Sequence, residues 1–475
     1  MSLRTTDAGR LVRLGGAERA RLRAAAEQAV RRARTRGGEA LLAIALPLPA
    51  DIDPASVVVA SRRDGEPWFC FEQPERDRAA LATLGCVKAL ESSGPERFER
   101  VAREWRALAS EASGDAGEHL VAVGGFAFAA AGGASPDWTG FAPASLHVPE
   151  VALLRRRGAV SVTLAALATP DDTAEDVLAR VERRAAELRL APLPLLDPDP
   201  AGVTRVVSTM PPEHYEAAVA SAVERIRSGA LEKVVLAREV EVHAPAPHDA
   251  AAVFAVLREA FPACFVFCAG RGDATFVAAS PELLVRREGL RASSLALAGS
   301  TRRSADPAVD DHLGERLMQS AKDRGEQRIV SERILRTLEP HAVWTTAAPE
   351  PVIVKVANIQ HLATPIRAQL ASPVAAVELA GVLHPTPAVG GEPLARAAPL
   401  IPALEGIDRG WYAGPVGWTD ANEDGEFCVA LRCALLRGRL ARCYAGVGVV
   451  ADSDPAEELA ETEIKLAALL PVLAA

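Results

Sequence analysis

Hydrophobic positions in the C-terminal half follow two periods. Tyr215, Val219, Ala222, Val223 and Ile226 recur at helical spacing, which predicts a helix with one buried stripe. Pro211 suits the first turn, Ser208 or Thr209 is placed to cap it, and Gly229 ends it. The period then drops to two. Across 233–242, Val234, Leu236, Val240 and Val242 share one face of a strand, and Lys233 lies on the other with Val235 and Ala237. Further strands are predicted at 264–268, 275–279, 283–287, 427–435 and 440–450. A long helix is predicted from about 310 to 338, and a closing helix is capped by Asp454 and Pro455.

The N-terminal half is less periodic. Residues 17–36 read as a helix rich in alanine and arginine, 56–61 and 68–72 as strands, and 78–91 and 95–112 as helices. Residues 121–128 read as a glycine-containing strand. A proline-rich stretch at 190–202 connects this half (1–195) to the C-terminal half (203–475). Many strands follow one another without βαβ alternation, which points to an α+β design of antiparallel or mixed sheets flanked by helices.

Length alone, 475 residues, suggests two or three domains. A formal net charge of −9 argues against a nucleic-acid partner. An anionic substrate would need a locally positive pocket. Seven cysteines, an odd number with no CxxC pair, argue against a disulfide framework or a zinc site and fit a reducing cytoplasm. Residues 4–7 carry no apolar signal core. The apolar runs at 41–48 and 120–134 are too short to span a bilayer. The basic 17–36 helix lacks a bulky apolar stripe to insert, so no membrane partner is expected.

No GxGxxG after a strand, P-loop or HExxH is present. The chemistry has to come from short motifs in a fixed order: Glu-Lys-Val-Val-Leu-Ala-Arg at 232–238, Ala-Ser-Pro-Glu-Leu-Leu at 279–284, Leu-Ala-Gly-Ser-Thr-Arg at 297–302 and Asp-Arg-Gly-Glu at 323–326. There follow Gln-His-Leu-Ala-Thr-Pro at 360–365, His-Pro-Thr-Pro-Ala-Val-Gly-Gly at 384–391, Leu-Arg-Cys-Ala at 431–434, Tyr-Ala-Gly-Val-Gly-Val-Val at 444–450 and Glu-Thr-Glu-Ile-Lys at 461–465. The ordered series resembles the chorismate-utilising enzymes: isochorismate synthase, salicylate synthase, and component I of anthranilate and aminodeoxychorismate synthases. The resemblance covers the chain from about Val206 to the C-terminus. It implies a single large domain of two orthogonally packed, mostly antiparallel sheets ringed by helices, overriding the domain count from length.

Within the family, three positions resemble the isochorismate branch. Lys233 stands where water-using members carry lysine and ammonia-using members glutamine. Ala298 replaces the lysine of a PIKGT motif, and the stretch 384–391 resembles the isochorismate branch. Leu90-Glu91-Ser92 is similar to a tryptophan-sensing motif but is read as helix surface, because its surroundings do not match. The implied reaction is magnesium-dependent conversion of chorismate to isochorismate, with no glutamine amidotransferase partner required. Salicylate synthase, and anthranilate or aminodeoxychorismate synthesis, are the alternatives.

The reaction adds water at C2 while C4 loses its hydroxyl, so it needs a base, an acid and a grip on two carboxylates. The resemblance implies Lys233 as base and Glu282 as acid, the latter kept protonated by desolvation. It implies Glu326 and Glu461 as Mg²⁺ ligands, with Glu458 supporting them from one turn away. Arg432 and Lys465 would bind carboxylates, and the backbone at Gly446 and Gly448 would approach the enolpyruvyl group closely. Gly299, Ser300, His361 and Ala388 complete the expected substrate-binding set. The plainer alternatives are an exposed strand lysine, a solvent-facing edge glutamate, a structural histidine, and a simple i,i+4 ion pair of Glu461 with Lys465.

Overall fold

The computed structural model describes residues 11–197 and 202–474. Residues 4–7, and the 198–201 part of the proline-rich connection, lie outside them. Among the described residues, alternation builds two large sheets, of 13 and 10 strands. Among the described residues their pairings are antiparallel, except where Ala40–Leu48 runs parallel to Ser113–Gly114. This is the expected α+β architecture of mostly antiparallel sheets with helices packed on them.

The strand Phe265–Arg271 illustrates why both faces are covered. Phe265, Phe267 and Ala269 enter a core with Phe69 and Phe276 of the same sheet and with Val123, Val285 and Phe427 of the other. Val266 and Cys268 face the opposite way, into a second core with Phe254 and Leu257 of the helix Ala250–Ala260. Each buried phenylalanine contributes about 1.5–3 kcal/mol. Both sheets take strands from both halves of the chain. Trp68–Gln73 pairs with Phe265–Arg271, and Val121–Phe126 pairs with Pro415–Asp420.

Several local expectations are corrected. Residues 56–61 belong to the helix Pro54–Ser61, which proline starts at its first turn; a short segment buried nearly all round satisfies either period. Residues 78–91 form the strands Ala79–Leu84 and Lys88–Ser92, separated by Gly85 at φ +72°. Their Ala/Leu composition suits a helix, but pairing with Trp68–Gln73, Val151–Arg156 and Ala144–Val148 overrides it. Leu90 to Ser92 are therefore strand, not helix surface. Ser208 ends the strand Arg205–Ser208, and neither it nor Thr209 caps the helix Pro212–Arg227. The long helix at 310–338 is two helices, Pro307–Gln319 and Ala321–Leu338. Ser320 leaves helical geometry between them, and its side chain accepts the Asp323 N–H. The strand expected at 427–435 breaks into Gly425–Val429 and Cys433–Arg437.

That last break matters. Gly425–Val429 lies in the smaller sheet and Cys433–Arg437 in the larger one. Ala274–Ser280 and Leu283–Glu288 make the reverse crossing. The two crossings are tied together: the Val429 N–H donates to the Glu282 carbonyl, the Ala279 N–H to the Arg432 carbonyl, and the Ser280 hydroxyl to the Val429 carbonyl.

Candidate active site

The sheet crossings place two functional side chains. Glu282 follows Pro281 in one connection, and Arg432 occupies the other with φ +49°, left-handed geometry uncommon for a residue with a Cβ. A third irregularity lies opposite, where the pairing of Arg291–Arg302 with Ile359–Leu370 slips between Ala298 and Ser300. Gly299 supplies the slip with φ +73°, and a Cβ there would lie 2.9 Å from that of Asp323. These irregularities, the glycines of the strand Leu440–Val449 and the helices Ala321–Leu338 and Pro455–Leu466 border one cleft. Its volume is about 830 Å³, including the part open to solvent.

Glu282, Gly299, Ser300, Glu326, His361, Ala388, Arg432, Gly446, Gly448, Glu458, Glu461 and Lys465 all line this cleft. Lys233 stands immediately behind it. It is fully buried, and its Nζ lies 2.7 Å from Glu326 Oε1, in contact but without good hydrogen-bond angles. The exposed-lysine and solvent-facing-glutamate alternatives fail, since Lys233 is 0% exposed and Glu282 3%.

Burial pushes the Glu282 carboxyl up to about 8, against the opposing pull of Lys233, Lys465 and Arg432. Arg432 Nη2 donates to His361 Nε2 at 2.8 Å. Arginine has no acceptor, so this contact requires a lone pair on Nε2 and the ring proton on Nδ1. Burial first, then Arg432 and Lys465, hold the His361 ring well below the ordinary histidine range and therefore neutral. His361 thus orients the guanidinium as well as facing the cleft. Lys465 Nζ is held by the Gly446 carbonyl at 2.8 Å and by Glu461 at 2.9 Å. The i,i+4 pair exists, and it is part of the cleft wall. Burial would raise the Glu461 carboxyl, but Lys465 and the Ser300 hydroxyl, 2.8 Å away, bring it below its usual value.

The two strand glycines are required by close approach. A Cβ on Gly448 would sit 2.2 Å from Glu326 Oε1 and 2.7 Å from Lys233 Cε, and one on Gly446 would sit 2.8 Å from the Tyr412 hydroxyl. Lys322, Asp323 and Tyr412 also line the cleft and were not anticipated. Lys322 pairs with Glu458 at 2.9 Å. It precedes Glu326 by four residues, so helical spacing was the available signal; Tyr412 has no such signal.

Among the described residues, no three His, Cys, Asp or Glu side chains gather closely enough to enclose a metal. Glu326 and Glu461 nonetheless border one cleft from two helices. Two carboxylates facing a space for substrate oxygens and water fit the donor set magnesium prefers. Lysines now match each of them.

A family model for chorismate binding enzymes matches residues 27–474. The chain belongs to that family. It is 38% identical over 427 residues to the salicylate biosynthesis isochorismate synthase of Pseudomonas aeruginosa, covering 89% of this chain and 88% of the relative. It is 32% identical over 415 residues to the isochorismate synthase MenF of Bacillus subtilis, covering 85% and 87%. The solved menaquinone-specific isochorismate synthase MenF of Escherichia coli superposes with a TM-score of 0.77 at 28% identity, covering 91% of this chain and 94% of that one. No helix among the described residues of this family member is long and apolar enough to cross a membrane.

Proposed function

We propose that the protein is an isochorismate synthase that converts chorismate to isochorismate with magnesium. The observation that carries this reading is the Glu282 carboxyl, buried and protonated up to about pH 8, beside two cations suited to carboxylates. Two relatives that match most of the chain bear the name isochorismate synthase.

Arg432, held by His361, and Lys465 grip the substrate's carboxylates. Gly446 and Gly448 let the backbone come close to the enolpyruvyl group. Glu282 donates its proton to the departing C4 hydroxyl, which leaves as water. Once its contact with Glu326 gives way and its own proton has left to solvent, Lys233 takes a proton from the water that adds at C2. Glu326 and Glu461 would hold Mg²⁺, which would supply positive charge to offset the substrate's carboxylates. With Lys233 as base, and with Ala298 in the cleft where a lysine would allow covalent attachment, the nucleophile is water and not ammonia.

Incubation with chorismate and magnesium, followed by chromatography, tests the reading. Isochorismate is the expected product, also when ammonium chloride is present at alkaline pH. Salicylate with pyruvate, or anthranilate or aminodeoxychorismate, as the main product would overturn it.

A further inference from the structure

A second cavity, of about 1200 Å³ including its open side, lies on the far side of the 384–391 loop. His384 and Pro385 border it, while Ala388 and Val389 of the same loop border the catalytic cleft. Its walls are mostly apolar, with Phe128, Ile401, Pro402 and Ile407 among them.

Its charged groups are satisfied, with one exception. Arg409 is paired with Glu405, and its remaining N–H groups go to the Val389 and Val235 carbonyls. The Asp408 carboxylate accepts the Gly133, Ser135 and Gly410 N–H groups. Arg97, 5% exposed, has only carbonyl acceptors at Ala127 and Gly94, and its Nε has none. No described carboxylate forms an ion pair with it; only the exposed Glu99 acts on it through its charge, from beyond ion-pair distance. Burial draws its value down only to about 10, so it is still a cation at neutral pH. A second polar point is open. His384 Nε2 contacts the Phe128 carbonyl at 2.9 Å, leaving a buried Nδ1 without a partner.

A buried cation without a counter-ion is a costly arrangement unless a ligand supplies the charge. The apolar walls disfavour a small hydrated anion and favour one with a flat apolar body. We propose that this cavity binds an aromatic monocarboxylate, its carboxylate against Arg97 and its ring against Phe128, Ile401 and Ile407.

Benzoate is the probe, titrated calorimetrically into the full chain. Wild type is expected to bind benzoate at least tenfold more tightly than benzyl alcohol, which has the same ring without the charge. Arg97→Gln is expected to weaken benzoate binding at least tenfold and leave turnover of chorismate unchanged. Should that variant fail to fold, Ala398→Trp, at the exposed mouth of the cavity, is expected to weaken binding equally. Unchanged affinity in the folded variants would overturn the proposal. So would loss of binding in Arg432→Met instead, which would place benzoate on the catalytic carboxylate grip, or no binding to wild type at millimolar benzoate.

Discussion

At the Glu282 carboxyl, lost hydration penalises the charged form more than Lys233, Lys465 and Arg432 favour it. Two consequences follow at this one residue. The first is kinetic: turnover is expected to fall as pH rises through about 8, where the acid loses its proton. Glu282→Gln and Lys233→Ala are each expected to lower kcat at least about 100-fold, with chorismate still bound and with losses that do not add in the double variant. Calorimetry beside a kinetic assay checks this. If Lys233→Ala abolished binding but spared turnover of bound substrate, the lysine would be a carboxylate grip and not a base. The second consequence concerns stability. A carboxyl with a raised folded value binds its proton more tightly when folded. Its contribution is therefore whole below about 4.5 and lost as pH rises through about 8. Glu282→Gln has no such loss. Its melting temperature relative to wild type is expected to be higher at pH 9 than at pH 5, and a difference independent of pH would contradict the assignment. The side of the strand that carries Lys233 was legible from alternation alone. The enclosure of Glu282 was not, because it arises from a crossing between sheets that no local pattern marks.

Elements explain which parts of the fold were legible. Helices with a clear apolar stripe, such as Pro212–Arg227, and strands with strict alternation, such as Lys233–His243, form where periodicity places them. The segments read wrongly are short and rich in alanine, leucine and valine, where both periods fit and distant partners decide. Ser320 is a case where one residue decides. It interrupts an otherwise helical pattern and caps the helix that carries Lys322, Asp323 and Glu326. Ser320→Ala is expected to destabilise the protein by about 0.5–2 kcal/mol, the usual range for a lost N-cap, which denaturant unfolding measures. An unchanged midpoint would mean that packing holds the helix start without the cap. The strand Leu440–Val449 makes the complementary point. Gly448 is open to a test in which activity and stability part company, since the atoms a methyl would meet are the side-chain ends of Glu326 and Lys233. Gly448→Ala is expected to lower turnover at least tenfold with little change in melting temperature. Unfolding of the variant would show that the glycine serves the sheet and not the cleft.

Across the whole molecule, the net charge of −9 conceals a balanced centre. With Glu282 protonated, the cleft's charged carboxylates are Asp323, Glu326, Glu458 and Glu461. The cations are Lys322, Arg432 and Lys465, with Lys233 directly behind. Four negative groups meet four positive ones, so the site by itself is close to neutral. Chorismate brings two carboxylates, and a metal-free complex would carry two uncompensated negative charges in a partly buried cleft, where screening by water and salt is weak. A divalent cation restores the balance. This is a property of the assembled molecule. Each contributing motif was visible in the chain, but the pairing of Glu326 with Lys233, Glu458 with Lys322 and Glu461 with Lys465 depends on helices and strands meeting at the sheet crossings. Magnesium and chorismate are therefore expected to bind synergistically. Calorimetric titration should find chorismate bound at least tenfold more tightly with magnesium than with a chelator, and reciprocity requires the same factor for magnesium with and without chorismate. Turnover should vanish in excess EDTA and return with added magnesium. Glu326→Gln and Glu461→Gln should each remove most turnover while leaving the fold intact, because each retains size and hydrogen-bonding capacity while losing charge. Full activity in EDTA would sink the metal. Equal chorismate affinity with and without magnesium would mean that Arg432 and Lys465 alone balance the substrate.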